Sequence, residues 1–111
     1  MKDSISTLSF TGKSGTAYKF YIYPLPYSFL ERKGGIYLYT KFLDNNFHVP
    51  IYLGITGDLR TLFKDSQAMK NIIKSHPTHI CVSLEEDASK REFAEEDLSE
   101  IAQTHSDVRM H

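Results

Sequence analysis

The stretch GIYLYTKFL, residues 35–43, alternates as a strand does. Ile36 and Leu38 fall on one side of an extended chain, and Tyr37, Tyr39 and Lys41 on the other. VPIYLGIT, residues 49–56, behaves alike, with Val49, Ile51, Leu53 and Ile55 on one face and Tyr52, Gly54 and Thr56 on the other. The intervening DNNF favours a turn, so the two segments predict an antiparallel hairpin. A turn near Asp44-Asn45 sets Tyr37 opposite Tyr52 and merges the aliphatic residues into one face, the tyrosines into the other.

TLSF and AYKFYIYPL, separated by TGKSGT, predict a second hairpin at the N-terminus. TGKSGT lacks the spacing of a phosphate-binding loop and is read as the turn. Pro24, Pro26 and the Gly34-Gly35 pair bound an irregular crossing segment. After Gly57, Asp58 can cap a helix whose apolar positions are Leu59, Leu62 and Phe63, then Met69, Ile72 and Ile73. DSQ at 65–67 is a place for a break, and SHP at 75–77 ends it. THICVSLE is another strand. The last helix follows SKRE, with Asp87 and Ser89 as rival caps, and runs to about Thr104 on a stripe of Ala94, Leu98, Ile101 and His105. The order ββ-ββ-α-β-α predicts an α+β fold: a small, mostly antiparallel sheet flanked by helices. Residues 1–33 then form an N-terminal hairpin extension and 34–111 the main unit, within one compact domain.

Composition narrows the picture. The chain has 111 residues, 41% hydrophobic and 13% aromatic, enough for one packed core. Apolar runs are short and residues 1–30 hold no signal-peptide core, so the expectation is a soluble cytoplasmic protein with no membrane partner. The single cysteine, Cys81, excludes a disulfide framework and a Cys-based zinc site; in its apolar run it reads as a buried structural thiol. Net charge is −1, but eight of the fourteen acids lie in residues 85–100. The remainder carries eleven bases against six acids, a balance that permits a phosphate-facing surface. His48, His76 and His79 show no metal-ligand spacing. Gly54, inside a strand pattern, marks a bulge, a close approach to the backbone or, more simply, a gap for an aromatic neighbour.

GIY at 35–37 and YLG at 52–54, followed by ITGDL, resemble the paired motifs of the GIY-YIG nuclease superfamily, and EFAEEDL resembles its acidic E-x-x-L helix. The resemblance spans about residues 34–105. It implies hydrolysis of a phosphodiester in nucleic acid, DNA or a related polymer, with one divalent ion, Mg2+ or Mn2+. It assigns Tyr37 and Tyr52 the tyrosine roles and Glu95 the metal. Glu95 lies about 80° from the centre of the apolar stripe, a boundary position on its helix. The family's arginine, eight residues after the YIG glycine, is replaced by Leu62; Ser66 stands where a histidine commonly follows, and the closing Pro-x-x-Asn element is missing, with Asp107 near the asparagine. Arg60, Lys41 and Lys64 are the candidate stand-in cations, and Arg91 can pair with Glu95 one turn on. Two functions follow as expectations: a divergent endonuclease, or a degenerate member of that fold that binds nucleic acid or protein without cutting.

Overall fold

The computed structural model describes residues 6–44, 47–64 and 66–102. It is an α+β protein. Strands β1 (Ser6–Thr11), β2 (Ala17–Pro24), β3 (Gly35–Leu43), β4 (Phe47–Thr56) and β5 (His79–Leu84) form one five-stranded sheet in the order β1-β2-β5-β3-β4. Every pairing is antiparallel. The N-terminal hairpin is part of this sheet, because β2 hydrogen-bonds to β5. The predicted first helix is two pieces, a 3-10 helix (Leu59–Lys64) and α1 (Ser66–Lys74), divided in the DSQ stretch. Pro77 and a left-handed His76 (φ 52°) follow α1 and stop it. The final helix, α2, is Ala88–Asp97. Asp87 rather than Ser89 caps it, its carboxylate accepting from the backbone N–H of Ser89 (2.8 Å) and Lys90 (3.2 Å). The expected extension to Thr104, with His105 and Asp107, lies outside the described residues.

Both sheet faces are covered, the tyrosine face as well as the aliphatic one. Phe20, Ile22, Ile36, Leu38, Leu53 and Cys81 pack under Ala94 of α2 and Leu98, its C-cap. Tyr23, Tyr39, Tyr52, Ile80 and Val82 pack under Leu59, Leu62 and Ile72 of the first helical pieces and Phe29 of the crossing segment. Tyr39 and Tyr52 are 1% and 3% exposed, so these tyrosines are core. An aromatic ring buries enough apolar area to act as a core residue if its hydroxyl finds a partner.

The β3–β4 register also differs from the expected one. Tyr37 pairs with Gly54, and Tyr39 with Tyr52. Leu43 pairs with Phe47, and a bulge between Tyr39 and Thr40 adds a second one-residue shift, since Thr40 pairs with Pro50. Two unit shifts restore the face, because side chains alternate with period two. Tyr37 and Tyr52 therefore still share a face although they are not opposite each other. Ile51 is the extra residue and packs with the aromatic cluster instead of the aliphatic one. Pro50 is tolerated there because β4 is an edge strand.

Asp97 fastens the N-terminal hairpin turn to α2. It is 6% exposed and accepts from the Ser14 N–H (2.7 Å), the Ser14 hydroxyl (2.7 Å) and the Tyr18 hydroxyl (2.9 Å). Burial pushes its ionisation up, but those bonds and the Lys13 charge outweigh burial and hold it below the ordinary carboxylate value. Tyr18 is pushed up to about 12 by burial and then by Asp97. Cys81 is fully buried, and burial raises its thiol to about 11, against a smaller opposing pull from Thr40. It is a structural thiol, as expected.

Candidate functional site at the free edge of the sheet

Of Tyr37, Tyr39 and Tyr52, Tyr37 is the half-buried one. Its phenol ring lies across Gly54 of the neighbouring strand, where a Cβ would overlap the ring and its hydroxyl. Gly54 is therefore the gap for an aromatic neighbour, and that neighbour is Tyr37. The ring centroid is 6.3 Å from that of Tyr52 and 5.9 Å from that of Tyr39. Because β4 is the outer strand, a ring that crosses Gly54 carries its hydroxyl toward the free edge of the sheet.

The tyrosines differ in what they can do. Tyr39 donates to the Met69 thioether (3.8 Å) and is buried. Burial, and secondarily Tyr52, push its ionisation up, far from proton exchange near neutrality. Tyr52 is sealed in the core. Tyr37 alone of the three keeps substantial exposure.

Glu95 lies on α2, which packs on the other face of the sheet. One flank of α2, Lys90, Phe93 and Ala94, borders a cavity of about 350 Å³ with Thr16 and Tyr18, on the hairpin side. Asp97 on that flank holds the hairpin turn. The opposite flank carries Arg91 and, one turn later, Glu95. Arg91 lies against Gly57, just past the end of β4, where a Cβ would stand 3.5 Å from its Nη2. Arg91 thus lies among the loops that precede β3 and follow β4 and β5, on the same helix flank as Glu95. Glu95 is half-buried there, as its boundary position on the helix predicts.

Of the expected cations, neither Lys41 nor Arg60, the two whose side chains are described, is shown beside Tyr37. Lys41 is exposed and pairs across to Val49, beyond the bulge. It stands four residues from Tyr37, roughly 13 Å by strand rise. Arg60 is exposed and its Nε is 3.7 Å from Asp58 Oδ1. Asp58 also accepts from the Arg60 N–H (3.0 Å), so the pair belongs to the start of the 3-10 helix. Leu62, at the position matched to the family's arginine, is 8% exposed and faces the aromatic core. The Lys64 and Ser66 side chains lie outside the described residues. Sequence reasoning gave Arg91 only a pairing role with Glu95. The glycines at 34 and 57 were its signal, since both flank the guanidinium.

Comparisons with family models, with curated proteins and with solved structures find no match.

Among the described residues no group of three His, Cys, Asp or Glu side chains is placed to hold a metal. Among the described residues no helix is long and apolar enough to cross a membrane.

Proposed function

We propose that the chain is a divergent GIY-YIG-type endonuclease that hydrolyses nucleic-acid phosphodiesters with one divalent ion. The feature that supports this reading is Tyr37, whose phenol crosses Gly54 toward the free β4 edge, together with Glu95 on α2, which packs on the opposite face of the sheet. Glu95 would hold the ion, which when bound supplies a Lewis acid for the phosphate and an acidified water. Tyr37 would position or relay a proton at its hydroxyl. Tyr52 would fix the Tyr37 ring by packing beside it. DNA is the first substrate to try.

A second reading is favoured by Leu62 and Arg60. An inward leucine at the arginine position, with the nearest guanidinium tied to Asp58, removes an oriented charge worth roughly 3–4 kcal/mol in sites of this kind. The fold then binds nucleic acid or protein without cutting.

Incubation with plasmid and branched DNA in Mg2+ or Mn2+ separates the two. The first reading expects metal-dependent cleavage that Tyr37→Phe reduces by roughly 10²–10⁴ and Glu95→Ala abolishes. Cleavage that survives Glu95→Ala would remove the metal assignment. Salt-sensitive DNA binding with no cleavage would establish the second.

A further inference from the structure

We propose that Arg91 of α2 binds the nucleic-acid phosphate at the β4 edge, supplying the guanidinium that Leu62 does not. This rests on the reading above, that the chain acts on nucleic acid.

Arg91 sits among acids yet pairs with none of them. Its Nη1 donates to the Glu85 carbonyl oxygen (2.9 Å). The neighbouring carboxylates are otherwise engaged: Glu86 accepts the Gly34 N–H, and Asp87 caps α2. Among the described residues no carboxylate stands within 4 Å of the guanidinium, whereas Lys13, Lys33 and Arg60 each have one at 3.5–3.7 Å. A guanidinium has five N–H donors, so a single carbonyl leaves most of the fork for an anion.

The backbone around Arg91 is shaped to hold it. Gly34 precedes β3 and Gly57 follows β4. A Cβ at 34 would overlap Nη1, and one at 57 would touch Nη2 at 3.5 Å. The guanidinium is thus seated between the two loops that begin and end the motif-bearing hairpin. It is half-buried, so its fork is ordered before any ligand arrives, which lowers the cost of binding. It shares a helix flank with Glu95 and lies beside Gly57, just past the end of the strand that Tyr37 crosses. A phosphodiester passing the Gly34 and Gly57 loops would meet the fork.

The test is equilibrium binding of a fluorescein-labelled DNA duplex between about 50 and 200 mM NaCl. Wild type, Arg91→Gln, Arg91→Lys and the distant control Lys74→Gln are compared, with thermal melts for each. One lost phosphate contact should lower the slope of log K against log salt by about 0.9 and weaken low-salt binding about tenfold. Arg91→Lys should keep the slope and lose part of the affinity, because a point charge replaces a fork. Lys74→Gln should match wild type. A wild-type slope and affinity in Arg91→Gln would overturn the inference and leave the nucleic-acid reading standing. No binding by wild type would overturn both. Should Arg91→Gln fail to fold, Arg91→Lys decides: reduced affinity at unchanged slope supports the assignment, and unchanged affinity defeats it.

Discussion

The two faces of the sheet are both cores, but they are built from different chemistry. The α2 face is largely aliphatic, with Leu38 and Leu53 fully buried and no polar group to satisfy in either. The opposite face is largely aromatic and carries hydroxyls at Tyr23, Tyr39 and Tyr52 into the interior. An aliphatic face stabilises through volume alone. An aromatic face stabilises through ring area, and each hydroxyl must also be placed. The second design is harder to pack but leaves a polar atom wherever a ring reaches the rim. Tyr37 is that rim residue. The difference indicates that the site, if active, is the border of a core and not a cleft cut into it.

The largest effect should come from emptying the aliphatic side. Leu53→Ala removes a fully buried side chain beneath α2 and should cost about 2–5 kcal/mol in a chemical denaturation curve, with little change in its slope. A loss under 1 kcal/mol would mean that α2 is not held by this face.

Much of that aliphatic face was legible because its residues obey period two in the strands and the helical period in α2. Ile36, Leu38, Leu53, Ala94 and Leu98 all came from pattern alone. The covered tyrosine face was not legible. Tyrosine is at home on a solvated sheet face and in a core, so alternation cannot say which side of Tyr39 holds water. The bulge was also hidden: nothing in residues 39–52 announces one extra residue except Pro50, and Pro on an edge strand is common. The site was half legible. Tyr37, Tyr52 and Glu95 carry motifs, but the placement of Arg91 depends on glycines whose missing side chains have no meaning until a guanidinium is seen between them.

Gly54→Ala tests the rim of the aromatic face. The new Cβ must push the Tyr37 ring aside, at about 1–3 kcal/mol of overpacking cost. Under the nuclease reading activity should fall far more than stability, since the hydroxyl leaves the β4 edge. The same change at Gly35 meets the Ser83 carbonyl oxygen at 2.7 Å, backbone that cannot swing away. It should destabilise without any special effect on activity. Equal losses of activity per unit of stability in the two variants would show that Tyr37 has no role beyond packing.

A smaller effect is expected at the end of the aliphatic face away from α2. There His48 and His79 stand with ring centroids 5.0 Å apart, each with Nδ1 against a threonine hydroxyl, Thr40 at 2.9 Å and Thr78 at 2.7 Å. Burial lowers the proton affinity of both rings, and for His48 the His79 charge adds to it. The folded state therefore binds protons less readily than the unfolded chain. The stability from this pair is complete above the ordinary value of 6.5 and is lost as pH falls below it. Melting temperature should drop in that window, and His48→Gln should flatten the drop. A melting temperature that rises on acidification through 6.5 would reverse the sign and reject the account.

The smallest effect should be Tyr39→Phe, and it asks what a buried hydroxyl on the aromatic face is worth. The ring makes the packing contacts and is kept. The hydroxyl loses one bond to a thioether, a weak acceptor, at 3.8 Å. Removing both the donor and its desolvation cost leaves no unsatisfied partner, because the Met69 sulfur is content in an apolar setting. The expected change is about 0.5 kcal/mol or less by denaturation. Activity should be unaffected, since Tyr39 stays protonated and sealed from solvent. A cost above 1.5 kcal/mol would show that this face depends on its hydroxyls as much as its rings, and the contrast with the aliphatic side would then lie in hydrogen bonding more than in area.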